Sequence, residues 1–184
     1  MLAEVRDPAP PPPTPGRRAG MGALRHRNYR LYFMGQIIST AGTWMQSVAM
    51  PWLALTLTHD AFHVGLVIAT QFAPMLVAGQ FGGLLADRFP KRRILVCSQL
   101  AFIVPAAVMY YLTSQHLAQY WMVLVAALAV GSINVIDVPS RQAFVIEMVG
   151  REDLLNAIAL NSTIFNGAAV IGPSLAGLII GLLG

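Results

Sequence analysis

Charge is scarce in this sequence. Only 11% of its 184 residues are Asp, Glu, Lys or Arg, against 56% hydrophobic residues. Soluble domains carry about a quarter charged residues. The deficit, together with long apolar runs, excludes a water-dissolved globular domain and places the chain in lipid. Cysteine is almost absent as well. The single Cys97 excludes an intramolecular disulfide and a cysteine-based zinc site. Set in an apolar run, it reads as a small packed residue. Catalytic signatures are missing: no HExxH, GxSxG, Cys/His cluster or phosphate loop occurs. His26, His59, His63 and His116 lie in or beside connections, and no carboxylate pair faces inward from an apolar run. The expectation is a protein that is not an enzyme and uses neither cofactor nor metal. No apolar h-region precedes residue 20, so the N-terminus is not a secretory signal.

What the N-terminus has instead is proline: Pro8, Pro10 to Pro13 and Pro15. Residues 1–24 read as a disordered, Pro-rich tail. Residues 25–184 then alternate apolar runs with short polar connections. Spans are expected at about 31–57, 64–86, 94–113, 119–138 and 155–183, each long enough to cross a ~30 Å hydrocarbon core. The fold class is an all-α membrane protein of five transmembrane helices. The formal charge of +4 does not point to nucleic acid, because the cations lie in short clusters between apolar spans.

The distribution of cations gives an orientation. All twelve Lys/Arg residues lie before or at the start of the first span, between spans two and three, or between spans four and five with their flanks. The connections at 58–63 and 114–118 carry none. The positive-inside rule therefore expects a cytoplasmic N-terminus and places those two connections outside. The end at Gly184, on the outer side after an odd number of spans, is the pattern expected of a truncated chain.

Several polar groups sit inside the apolar runs. Gln36, Thr40, Thr43 and Ser47 follow at steps of four, three and four, so they share one helix face, bordered by Ser39 and Gln46. Facing acyl chains would cost several kcal/mol per group, so this face looks at protein or at water. A packed interface and the wall of a solvated cavity both satisfy that demand. Asn134, Ser162 and Asn166 are further cavity-lining candidates. Gly79 with Gly83, and Ala78 with Gly82, form small-xxx-small pairs suited to close helix approach. Trp44 and Trp52 read as packing or lipid-interface residues. Pro74 and Pro105 lie mid-span.

Asp87 and Asp137 are the acids nearest the membrane. Asp87 sits in a cationic connection with Arg88, Lys91, Arg92 and Arg93. Its plain reading is topogenic, and its sharper one an ion-pair network that ties helix ends together. Asp137 and Arg141 are four apart with the acid first, the favourable helical order, although Pro139 lies between them. A structural pair is favoured there over a proton carrier.

Gly83-x-Leu85-Ala86-Asp87-Arg88-x-x-Lys91-Arg92-x-x-Leu95 resembles the loop signature between helices two and three of the major facilitator superfamily, with Pro90 where that signature usually has Gly. Arg27-Asn28-Tyr29-Arg30-Leu31-Tyr32-Phe33, Gly35-Gln36, Trp44-Met45-Gln46, Asp137-x-Pro139-x-Arg141-Gln142-Ala143-Phe144, and Asn156-Ala157-x-Ala159-Leu160-Asn161-Ser162 with Gly172-Pro173 resemble its transmembrane secretion effector, enterobactin exporter-like branch. The resemblance implies the first five helices of a twelve-helix transporter in the bacterial inner membrane. That transporter has two six-helix halves, each a 3+3 repeat. It also implies export of siderophore-like or drug-like small molecules, coupled to protons. Gly83, Asp87, Arg88, Lys91 and Arg92 would form a cytoplasmic gate whose partner lies in the missing C-terminal half. Gly172-Pro173-x-x-x-Gly177 resembles an antiporter motif, with Ala169 where relatives often have Arg. The rival from another class is a non-transporting membrane scaffold or regulatory subunit.

Overall fold

The computed structural model describes residues 27–150 and 153–183, with the side chains of 85–87 and 183 outside the described set. The Pro-rich tail and the side chain of Asp87 therefore lie outside the described residues. Five helices follow in order: α1 (Arg27–Thr58), α2 (Ala61–Arg88), α3 (Lys91–Ser114), α4 (Tyr120–Val149) and α5 (Leu154–Leu183). No strand occurs among the described residues. In lipid each backbone N–H and C=O must be satisfied within its own segment, and helices achieve this. Helices α2 to α5 are long and apolar enough to cross a membrane. Helix α1, with 32 residues, is long enough but more polar.

The connections end the helices by local chemistry. Asp60 caps α2, its carboxylate accepting from the Phe62 N–H at 2.9 Å and contacting His63 Nδ1 at 2.9 Å. These two bonds, the backbone one first, hold the Asp60 carboxyl below its ordinary value. The cap therefore persists above the ordinary carboxylate value and is lost as pH falls through the lowered one. Exchange of the Phe62 amide, compared with neighbouring amides, should accelerate only in that acid range. Phe89 is extended before Pro90, which stops α2. Gly150 ends α4 at φ 69°, a left-handed position that costs glycine nothing. His116 takes φ 56° at the end of α3, where the Leu117 N–H reaches back to the Leu112 carbonyl at 2.8 Å.

The largest correction to the expected spans is α4. It was expected to end at Val138, yet it runs through Pro139 to Val149. A proline removes one backbone donor and crowds one carbonyl, which a helix tied into neighbours tolerates. Each of the five helices contains one such proline: Pro51, Pro74, Pro105, Pro139 and Pro173.

Helix α4 is the hub and touches all four others. The most extensive interfaces are α2 with α4 and α1 with α5, followed by α3 with α4. This exchange of neighbours, α4 with α2 and α1 with α5, is the pairing that a 3+3 repeat relating α1 to α4 and α2 to α5 requires. Glycine permits the closest approaches. A Cβ on Gly82 would collide with the Val135 carbonyl of α4, and one on Gly131 with the Gln71 carbonyl of α2. Gly172 likewise lies against Trp44 of α1. Gly82 thus meets the close-approach expectation, whereas Gly83 has no neighbour within 4 Å of such a Cβ and Gly79 meets only Met75 of its own helix.

Two apolar clusters occupy opposite ends of the bundle. Met50, Ala54, Val67, Met109, Val123 and Val130 pack towards the 58–63 connection. Tyr29, Val145, Val149 and Ala157 pack at the other end, where the Tyr29 hydroxyl donates to the Ala157 carbonyl at 3.2 Å. Outward-facing side chains are apolar, with Leu76 85% and Leu155 83% exposed, as a lipid-facing surface requires. Cys97 belongs to this surface. It is exposed, not packed as expected, and lines an open cleft between α3 and Ile133 and Ile136 of α4. Trp52 is exposed, while Trp44 packs edge-on against Phe165 with ring centroids 5.4 Å apart.

Candidate functional site: a buried charge cluster at one end of the bundle

The sequence places Asp137 and Arg141 one helical turn apart on α4, and α4 stays helical across Pro139, so the two side chains meet. Arg141 donates to Asp137 Oδ2 from Nε at 3.1 Å and from Nη2 at 2.5 Å. Asp137 is only 2% exposed, and Arg141 17%. The other carboxylate oxygen, Oδ1, accepts from the Ser98 hydroxyl of α3. Two side chains, one from α3 and one from α4, thus satisfy a carboxylate that would be costly to bury alone. Asp137 and Arg141 are thus in contact within α4, and a serine 39 residues earlier adds a third member. Ser140, fully buried beside the pair, has no hydrogen-bond partner for its hydroxyl among the described residues.

A second charged contact joins the same helices nearer the surface. Lys91, from the α2–α3 connection motif, pairs with Glu147 of α4 at 3.0 Å. Both remain solvent-accessible to different degrees, so the pair is worth ~0–1 kcal/mol. Lys91→Ala should therefore leave the thermal midpoint in detergent almost unchanged, in contrast to substitutions at Asp137. Arg88 and Arg92 are exposed, and neither joins an ion pair among the described residues.

A cavity of about 660 Å³ lies beside the cluster, between α1, α3 and α4. Of the cavity-lining candidates only Gln36 lines it, together with Arg92 and Arg141 of the charged sets. Thr40 is buried and accepts from Gln36 Nε2 at 3.1 Å. Thr43 and Ser47 donate to carbonyls of their own helix, at Ser39 and Trp44. Asn134 does the same at Val130. Ser162 and Asn166 are exposed on α5, with Asn166 donating to the Ser162 carbonyl. The polar face of α1 is thus split. Part is packed, and Ser39 crosses to α3, donating to Gln99 Oε1 at 2.6 Å. Sequence reasoning missed Ser98 and Gln99, although they are adjacent polar residues in an apolar span, the signal that marks a buried partner. Among the described residues no three His, Cys, Asp or Glu side chains gather as a metal site.

Comparison with known proteins agrees with this architecture. A family model described as transmembrane secretion effector matches residues 18–184. The staphyloferrin A transporter of Staphylococcus aureus (strain NCTC 8325 / PS 47) is 25% identical over 152 residues, covering 82% of this chain and 38% of that protein. The MFS-type transporter YfiS of Bacillus subtilis (strain 168) is 24% identical over 146 residues, covering 79% and 34%. The enterobactin exporter EntS of Shigella flexneri is 26% identical over 159 residues, covering 84% and 38%. The chain thus spans little more than a third of the length of these relatives. No solved structure matches it.

Proposed function

Since the chain belongs to the transmembrane secretion effector family, whose members are non-enzymatic transporters of the major facilitator superfamily, we propose that it forms the N-terminal part of a proton-coupled exporter. Its substrates would be siderophore-like or drug-like small molecules, and its N-terminus would lie in the cytoplasm of a bacterium. Relatives named for siderophores support the substrate class. The restriction of all twelve cations to alternate connections supports the orientation.

The observation that carries the reading is the buried Asp137–Arg141–Ser98 junction. A charge pair whose acid is only 2% exposed in a membrane bundle is costly to keep, and such groups mark working parts of transport proteins. Here it ties α3 to α4 at the end of the bundle that also carries the α2–α3 connection. In rocker-type alternating access, this end would close against the second half of the full-length protein, with Asp87 at the contact. Ser162 and Asn166, exposed on α5, would face the substrate path.

The test is export by cells carrying the full-length gene. Asp87→Asn should abolish efflux of the substrate while leaving membrane insertion at wild-type level. Unchanged efflux by that variant would remove the gating role.

A further inference from the structure

At the end of the bundle opposite the charge cluster, one residue pair holds two helix starts together. Asp60 uses its two carboxylate oxygens separately. Oδ1 accepts from the Phe62 N–H, and Oδ2 lies 2.9 Å from His63 Nδ1. An ionised carboxylate can only accept, so Nδ1 carries the proton of this bond and Nε2 is the nitrogen that gains or loses one. The His63 and Tyr120 rings meet edge to face, with centroids 4.7 Å apart. The Tyr120 hydroxyl also donates to the His63 carbonyl at 3.2 Å. One turn deeper lie Val67 of α2 and Val123 of α4, both fully buried. The first turn of α2 is thus seated on the first turn of α4, directly above the apolar core.

Few charges surround this contact. Between Arg30 and Asp60, between Arg93 and Asp137, and from Leu154 onward, the sequence has no Asp, Glu, Lys or Arg. Asp60 is therefore the one acid that faces His63 among the described residues. The other titratable groups at this end are His59, Tyr110, Tyr111, His116 and Tyr120 itself. A histidine gains its second proton between about pH 5 and 8. A cation in the first turn of a helix opposes the helix dipole. Asp60 offsets that opposition, and protonation turns its hydrogen bond with His63 into an ion pair that pins the ring against Tyr120. We propose that His63 is a proton-operated latch between α2 and α4, tighter when its ring is charged. The step lies above the acid range in which the cap itself fails, because the Asp60 carboxyl is held below its ordinary value. On the orientation proposed above, this end faces outward and the latch reads the pH outside the cell. Only that placement rests on the transport reading.

The full-length gene product in detergent tests the latch. Hydrogen exchange is read at the single amides of Met122 and Val123, which bond the Gln119 carbonyl in the first turn of α4. After correction for intrinsic exchange, their protection should be about threefold greater at about pH 5.5 than at about pH 8, the size of one exposed ion pair. His63→Gln keeps a side-chain donor for Asp60 without the titrating ring, and should abolish the step. In Asp60→Asn, whose side chain still caps α2, protection should not rise in acid, because the ring charge then meets only the helix dipole. His116→Gln should leave the step intact. The Phe62 amide, held by the other Asp60 oxygen, should not follow the step in the wild-type protein. No step in the wild-type protein, a step of equal size in His63→Gln, or its loss in His116→Gln would overturn the proposal. Export does not enter this readout, so failure of the latch and failure of the transport reading are distinguishable.

Discussion

Replacing Gly131 by alanine is expected to cost the bundle most of its stability in mild detergent. A Cβ there would meet the Gln71 carbonyl of α2 and approach Pro74 Cγ to 3.1 Å. The backbone of a membrane helix cannot easily yield, because each carbonyl is committed to its own helix. Overpacking costs about 1–3 kcal/mol where side chains can adjust, and more where backbone must move. Gly82→Ala strikes the same α2–α4 interface at Val135 and should behave alike. The two share one crossing, so their effects should not add in the double variant. Gly83→Ala and Gly177→Ala have open space at the same atom and serve as controls. Thermal unfolding followed by size-exclusion chromatography gives the comparison. Equal midpoints for Gly131→Ala and Gly83→Ala would contradict the packing described.

The second large effect concerns the charge cluster. Arg141→Met should leave Asp137 buried with only Ser98 as a partner. Stranding one member of a buried pair costs about 3–5 kcal/mol. Replacing both members, Asp137→Asn with Arg141→Gln, removes the uncompensated charge and should recover most of that loss. Ser98→Ala removes one charge-assisted hydrogen bond and should cost about 1.5–3 kcal/mol. In this order of effects, the double variant should be more stable than the single Arg141→Met. If Arg141→Met and Lys91→Ala shifted the unfolding midpoint equally, the junction would contribute no more than a surface ion pair.

Much of this fold is legible in the sequence. Apolar runs and breaker residues place five helices to within a few residues, except at the end of α4. There Pro139 and the charged residues beyond it suggest an exit from the membrane. The helix continues because Asp137 and Arg141 hold each other across the proline and α3 covers the acid. That cover is a tertiary fact: nothing in the run around Ser98 names a partner 39 residues away. The glycine pattern is similar. Gly79, Gly82 and Gly83 look interchangeable as small residues, and only the rotation of α2 against α4 selects Gly82. The polar stripe of α1 is a true helix face, but sequence cannot divide it between packing and groove. Docking does so, burying Thr40 and sending Ser39 to Gln99.

Transport by the full-length product is the central claim, and everted membrane vesicles test it most directly. An imposed proton gradient, acid inside, should drive accumulation of a labelled, iron-free siderophore, and a protonophore should abolish it. Asp87→Asn vesicles with equal protein content should accumulate no more than vesicles lacking the protein. If vesicles rich in correctly inserted protein accumulate no labelled compound above that background, with or without the gradient, the exporter account is contradicted.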